Sequence, residues 1–479
     1  MNLDKVEEVT RKLAEELAGE VLTDPAQVQP FSYDGSKLSF PLMAVIRPEN
    51  EEDIGRVLRM ANEALVPVTV RGGGSSLTGS ASPKEGGWVL DLSHWQDIRV
   101  DGVSGMATVQ AGARISDIQD KAAAEGWFYP PDPSSHRYST IGGNLACNAG
   151  GMRGGKYGVT RDYVLALRGF LPTGEAVRWA RPLRKYAAGY NLRDLWVGSE
   201  GTLGIITEAT LRLIPQPESR WTFLASFAEE GEALRVVRNL WERKIIPSIT
   251  EFLDRESVAS AERATGAEIF PGQKGKPVLL IELDGHPAVV GEDREKVLDL
   301  VPPQALAWRE ASGEEEAVKL WEVRRKCSGA MFELGDAKLN EDVVVPLMAQ
   351  EELLSFTRSL SEEKALPIAV FGHAGDGNFH VNIMFHRDDS AESQRAEEAV
   401  QLLMEKVLSL GGTISGEHGV GLAKTPFFRM EHEEAEIKAM QAIKNALDPR
   451  GILNPGKLFT PYEVWRHRPE KVRLPWDHR

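Results

Sequence analysis

The sequence predicts an α+β protein of two or three domains. Its 479 residues exceed what one ordinary hydrophobic core organises. Between about Phe40 and Pro217, brief β-rich runs are separated by concentrated glycine, whereas from about Glu218 to Leu410 longer helical stretches alternate with apolar strands. The boundaries read as 1–217, 218–410 and 411–479.

The elements follow in order. Leu3, Val6, Leu13 and Leu17 recur at helical spacing, and Gly19 stands where such a helix would stop. Strands are expected at 66–70, 88–92 and 107–110, and a hairpin over 164–179 turns at Pro172-Thr173-Gly174. In the second part the run 278–283 reads as a buried strand. Apolar runs at 368–371 and 380–385 read as a strand pair around a glycine-rich turn. In the tail, Ile437, Met440, Ile443 and Leu447 share one helix face and Asp448-Pro449-Arg450-Gly451 ends it, so this segment should pack back across the other domains. No internal repeat or low-complexity tract interrupts the pattern.

Composition excludes several classes. A net charge of −15 argues against a nucleic-acid backbone as main partner, which needs a basic face. The chain has no 18-residue apolar run, and an N-terminus with Asp4, Glu7, Glu8, Glu15 and Glu16 is too acidic for a signal or transit peptide. The expectation is a cytoplasmic protein, or one held at the inner membrane face through a partner. Only Cys147 and Cys327 are present, too few for a disulfide framework or an iron–sulfur cluster on this chain's own thiolates.

The most informative stretch is Phe371-Gly372-His373-Ala374-Gly375-Asp376-Gly377-Asn378-Phe379-His380-Val381-Asn382, which sets two of only ten histidines across a glycine-rich turn. Paired strands would bring His373 and His380 side by side, with Asn382 facing the same way as His380. Downstream, Gly416-Glu417-His418-Gly419 offers a carboxylate, Glu417. Two imidazoles and one carboxylate suit a divalent ion with room for a substrate: zinc first, with manganese, iron or cobalt also suited. The alternative is a Gly-Asp-Gly hairpin whose histidines only hydrogen-bond.

Two glycine runs point to a phosphate-bearing cofactor. Arg71-Gly72-Gly73-Gly74-Ser75-Ser76-Leu77-Thr78-Gly79 follows a strand, and Ser139-Thr140-Ile141-Gly142-Gly143-Asn144 continues to Asn148, Gly150 and Gly151. Such loops let backbone N–H groups converge on an anion, and two of them suit a pyrophosphate. Neither has Gly-x-Gly-x-x-Gly spacing, which disfavours NAD bound in the Rossmann manner. A near-match to a P-loop at 150–156 is followed by Tyr157 where Ser or Thr would hold Mg²⁺, which disfavours ATP hydrolysis.

With Pro131-Asp132-Pro133-Ser134-Ser135, Gly198-Ser199-Glu200-Gly201-Thr202-Leu203-Gly204-Ile205-Ile206-Thr207 and Asn454-Pro455-Gly456-Lys457, these segments resemble the FAD-linked oxidases and dehydrogenases of the vanillyl-alcohol oxidase type. Within that family the resemblance is to the D-lactate dehydrogenase, D-2-hydroxyglutarate dehydrogenase and glycolate oxidase catalytic-subunit branch, and it covers nearly the whole chain. It implies a bipartite FAD-binding domain with a leading helix and two α+β subdomains, an α+β substrate (cap) domain carrying the metal hairpin, and a helical C-terminal segment. It implies FAD contacts from Arg71, Gly72, Gly73, Gly74, Ser75, Ser76, Pro133, Thr140, Gly142, Gly143, Asn144, Asn148, Gly150, Gly201 and Ile206. Relatives that attach FAD covalently carry a histidine after the first glycine run, where this chain has Ser75; non-covalent FAD is therefore expected, although His136 lies near a second attachment point used by some relatives.

The implied chemistry is removal of a proton and a hydride from a D-2-hydroxy acid. His373, His380 and Glu417 would hold the ion, His418 would act as base, Arg324 would grip the substrate carboxylate, and Asn382 and Lys457 would contact substrate. Arg324 otherwise reads as a helix-surface charge paired with Glu322 or a neighbour, and Lys457 as a solvated lysine near the chain end. The 2-hydroxyglutarate members place a lysine where this chain has Asn340, with Lys338 two residues earlier, which favours a smaller substrate such as lactate or glycolate. Expected acceptors are an iron–sulfur subunit, an electron-transferring flavoprotein or a quinone, and a homodimer is allowed. Competing readings are an oxidase using O₂, a 2-hydroxyglutarate-specific dehydrogenase, an electron-transfer subunit without a substrate site and a metal-dependent hydrolase.

Overall fold

The computed structural model describes residues 3–464 and 474. They divide into two compact units. One comprises Met1–Ala149, Val159–Pro215 and Glu417–Arg479, the other Gly150–Gly158 and Gln216–Gly416.

The first unit opens with the helix Leu3–Glu16, whose Val6, Thr10 and Leu13 are buried at i, i+4 and i+7. Thr10 Oγ1 accepts the indole N–H of Trp88 at 2.8 Å, which fixes the helix over the sheet behind it. That sheet contains β1 (Glu20–Leu22), β2 (Ala44–Arg47), β3 (Val68–Arg71) and β4 (Trp88–Asp91) in the order β1-β2-β4-β3. The β2–β4 and β3–β4 pairs are parallel. The crossover helix Glu51–Ala64 begins on an Asn50 cap and has three acids in its first turn, where the positive helix end favours them. Strands β5 (Ile98–Asp101), β6 (Met106–Gln110), β7 (Trp127–Phe128), β8 (Val164–Phe170), β9 (Ala176–Trp179), β10 (Ile205–Arg212) and β11 (Ile214–Pro215) follow. Five form a second sheet, β5-β6-β10-β8-β9, and β7 pairs with β11. The expected hairpin over 164–179 is β8–β9. The tail helix Glu434–Leu447 belongs to this unit, and Ile443 and Leu447 pack on the core under the second sheet.

The second unit is built on one antiparallel sheet. Its strands are β12 (Ser219–Ser226), β13 (Ile249–Leu253), β14 (Val278–Gly285), β15 (Ala307–Glu310), β16 (Ala337–Val344), β17 (Ile368–His373) and β18 (Asn378–Phe385). Their order is β15-β12-β14-β13-β17-β18-β16. The central strands β13, β17 and β18 are buried at every residue, which explains why 368–371 and 380–385 read as apolar runs rather than alternating ones. The segment Gly150–Gly158 is fastened to this sheet by Asp284, a buried carboxylate near the end of β14 that accepts from Lys156 Nζ at 2.6 Å and Tyr157 Oη at 2.8 Å. The P-loop-like lysine is thus paired with a buried carboxylate.

Candidate active site

In the first unit the two glycine loops pack on each other. A Cβ built on Gly72 would lie 2.1 Å from Thr140 Oγ1, and one on Gly73 would lie 2.2 Å from the Tyr138 carbonyl oxygen. Gly74 has φ +64°, a left-handed conformation that costs glycine nothing. Thr140 caps the short helix Ile141–Cys147, and Asn148 ends it in a left-handed conformation. Arg71 donates to the Tyr33 carbonyl at 2.6 Å, so its guanidinium supports the first loop from behind. The glycines are thus required by the close approach of the two loops, whose backbone N–H groups could hold a phosphate-bearing cofactor. Gly201 also has positive φ, and a Cβ there would lie 2.9 Å from Val70 Cγ1. Ile206 is buried in β10 and Pro133 accepts the His136 amide. The His136 ring sits 3.9 Å from Asp132 Oδ1. Gly150 opens the segment grouped with the second unit.

The Glu417–Gly421 loop is held by this same unit. Glu200, from the Gly-Ser-Glu-Gly motif, is buried and accepts the amides of Val420 at 2.7 Å and Gly421 at 2.8 Å, as well as the Ser80 hydroxyl at 2.8 Å. Burial pushes its pKa upward against those donors. The Glu417 carbonyl accepts from Cys147 Sγ at 3.2 Å and the His418 carbonyl from Thr78 Oγ1 at 3.2 Å. The candidate base and the candidate carboxylate ligand are therefore anchored by residues of both glycine runs. Lys457 is buried, donates to the Ser82 carbonyl at 2.7 Å, and has its pKa lowered to about 8 by that burial. Its place is internal rather than solvated.

In the second unit, β17 and β18 pair so that His373 faces Asn378 and Phe371 faces His380. The two histidines are diagonal neighbours on one sheet face, with ring centroids 5.4 Å apart, and both are buried. Gly377, at φ +85°, closes the turn where a Cβ would meet the Val345 carbonyl at 2.1 Å. The hairpin is legible in the sequence because its turn demands glycine locally. The same face carries further polar groups: Asp342 lies opposite His380, and Asn340 opposite Asn382. Asp342 accepts from Asn378 Nδ2 at 2.7 Å and from the Gly416 amide at 3.0 Å. Asn382 is fully buried; it accepts from Asn340 at 2.8 Å and donates to the His380 carbonyl at 2.9 Å. A small cleft lined by Trp241, Thr250, Gly375 and Asp376 opens beside His373.

Arg324 lies on the helix Glu314–Ala330. Its partner is Glu251, in the middle of β13, rather than Glu322. The same carboxylate bonds His373 Nδ1 through its other oxygen. Although burial alone would raise the Glu251 pKa, the adjacent His373 and Arg324 hold it well below the usual range. The Arg324 guanidinium also stacks over Phe371, 4.3 Å from the ring centroid.

Two family models match the chain: "FAD binding domain" over residues 42–180 and "FAD linked oxidases, C-terminal domain" over 216–458, the latter more than half of its length. The chain belongs to the FAD-linked oxidases. Among relatives of this FAD-linked oxidase, the glycolate oxidase subunit GlcD of Bacillus subtilis is 42% identical, aligning over 90% of this chain and 92% of the relative. A D-lactate dehydrogenase of Anaerostipes hadrus is 35% identical over 86% and 89%. The fold is that of p-cresol methylhydroxylase, with a TM-score of 0.79 and 16% identity over 96% of this chain and 98% of that one. Alkyldihydroxyacetonephosphate synthase superposes with a TM-score of 0.73 at 20% identity, covering 94% and 86%. The expected α+β, bipartite FAD-binding architecture is the observed one. Among the described residues, no helix is long and apolar enough to cross a membrane.

Proposed function

We propose that this FAD-linked oxidase converts a D-2-hydroxy acid, with D-lactate and glycolate favoured, into the 2-oxo acid with the help of a divalent metal. The observation that carries the reading is the pairing of buried His373 and His380 on one sheet face with a carboxylate fixing His373 through Nδ1, an arrangement that presents Nε2 to an ion. That donor chemistry fits zinc, with Glu417 as third ligand. The relatives' names support the substrate class.

When bound, FAD supplies a hydride acceptor and the metal a Lewis acid that lowers the hydroxyl pKa. His418 takes the hydroxyl proton, and its backbone anchorage at Thr78 keeps the ring from drifting. Arg324 holds the substrate carboxylate with the guanidinium edge not used by Glu251. Asn382, braced by Asn340, lies beside the metal ligands and contacts substrate. Buried Lys457 favours negative charge near the flavin loops. FAD is held without a covalent bond, since Ser75 stands where an attaching histidine would be. The neutral Asn340–Asn382 pair supports a small substrate over 2-hydroxyglutarate, which would need a cation for its second carboxylate. The word "subunit" in a relative's name supports electron delivery to a partner chain over direct use of O₂. The test is anaerobic reduction of the bound flavin across a panel of D- and L-2-hydroxy acids. Bleaching by D-lactate or glycolate is expected; a flavin that stays oxidised with every member overturns the assignment.

A further inference from the structure

Glu251 takes no step in the scheme above and enters it only as the neighbour of His373 and Arg324, yet its own placement is unusual for a charged group. It sits at the centre of a strand whose five residues are all buried, in register with His373 across the β13–β17 pair. A carboxylate in that position is costly unless every oxygen is matched. Both are matched, and by different functional groups: Oε1 by the imidazole of His373, Oε2 by Nε of Arg324.

We infer that Glu251 is a positioning residue that sets the metal ligand and the substrate-carboxylate grip from one fixed point. This rests on the proposed function. Through Oε1 it holds the Nδ1 proton of His373, which selects the tautomer whose Nε2 lone pair is offered to the ion and locks the ring's rotation. Through Oε2 it fixes one edge of the Arg324 guanidinium, whose face is already held against Phe371, so the remaining donors point in one direction. Ion and carboxylate grip are then held in a set relation, as a 2-hydroxy acid requires when its hydroxyl and carboxylate sit on adjacent carbons. A buried ion pair that served only stability would need one cation; this carboxylate is divided between two groups with separate tasks.

The test uses the full-length flavoprotein stripped of metal and titrated with Zn²⁺ against a competing chelator. Glu251→Gln keeps the shape but opposes a donor N–H₂ to either His373 or Arg324. The expected result is a Zn²⁺ affinity weakened about 10–100-fold and a raised KM for the hydroxy acid at saturating Zn²⁺, with FAD content unchanged. Glu251→Asp, which keeps the charge on a shorter arm, should fall between wild type and Glu251→Gln, and it carries the test if the glutamine variant fails to fold. Unchanged Zn²⁺ affinity and KM in the folded variant, beside a wild type that binds Zn²⁺ and turns over, overturn the role of Glu251 alone. A wild type that neither binds Zn²⁺ nor oxidises hydroxy acids overturns the proposed function instead.

Discussion

Replacing Glu200 tests whether the loop bearing Glu417 and His418 is truly held from the flavin unit. Glu200→Ala removes the acceptor for two peptide N–H groups and for the Ser80 hydroxyl. Ser80 can re-pair, since Thr78 Oγ1 lies 3.0 Å away. The Val420 and Gly421 amides have no such substitute, and each orphaned N–H costs about 1–3 kcal/mol. Relief from burying a carboxylate offsets part of this, so the net loss should be about 2–4 kcal/mol. Glu200→Gln, which keeps one acceptor oxygen and no charge, should lose less. Because the loop carries the proposed base, His418, a shift of about 1 Å should also slow flavin reduction by roughly 10². Unfolding followed by flavin fluorescence and stopped-flow anaerobic reduction measure the two effects. An alanine variant with wild-type stability and wild-type reduction rate would refute the anchoring role.

Two further outcomes are expected. His373→Ala should abolish stoichiometric zinc binding and lower turnover by at least about 10³, the scale of Lewis-acid assistance, while FAD content stays at the wild-type level; metal analysis and flavin absorbance decide it, and loss of FAD along with zinc would contradict separate sites. Asp254, which caps the helix Arg255–Thr265 and accepts the Val370 amide, has its pKa raised by burial to about 7 from 3.8. The folded chain therefore keeps a proton that the unfolded chain releases between about pH 4 and 7, and this contribution to stability is lost as pH rises through 7. Asp254→Asn cannot titrate, so the stability difference between wild type and variant should move against wild type from pH 5 to pH 8 in denaturant titrations; parallel pH profiles would contradict the shift.

The hairpin, the glycine loops and the tail helix were legible because each is a local pattern: alternation around a turn, glycine after a strand, one apolar stripe. Glu251 was not. It lies 122 residues before His373, inside the buried strand Ile249-Thr250-Glu251-Phe252-Leu253, where nothing nearby indicates its partners. A single acid in a fully buried strand was the available signal, because such a charge must be paired. Arg324 was visible as a cation, but helix periodicity does not choose between Glu322 and a carboxylate on another element. The alternative of a solvated Lys457 fails for a related reason: position near the chain end says nothing of burial, which here arises from packing against residues around Ser82. The segment 150–158 looked like a continuation of the second glycine run, and only the tertiary pairing of Lys156 and Tyr157 with Asp284 draws it elsewhere.

The chain passes between its two units four times, after Ala149, Gly158, Pro215 and Gly416. Leu453 bridges to Val68, the first residue of β3, and the Asn454 amide bonds the Val68 carbonyl at 2.8 Å. During synthesis the second unit's sheet can close once Gly416 has emerged, but the flavin unit must wait for residues almost forty positions later. The FAD-binding unit, first to be translated, is thus the last to be completed, and a chain that stops before Leu453 lacks the residue that bridges to Val68.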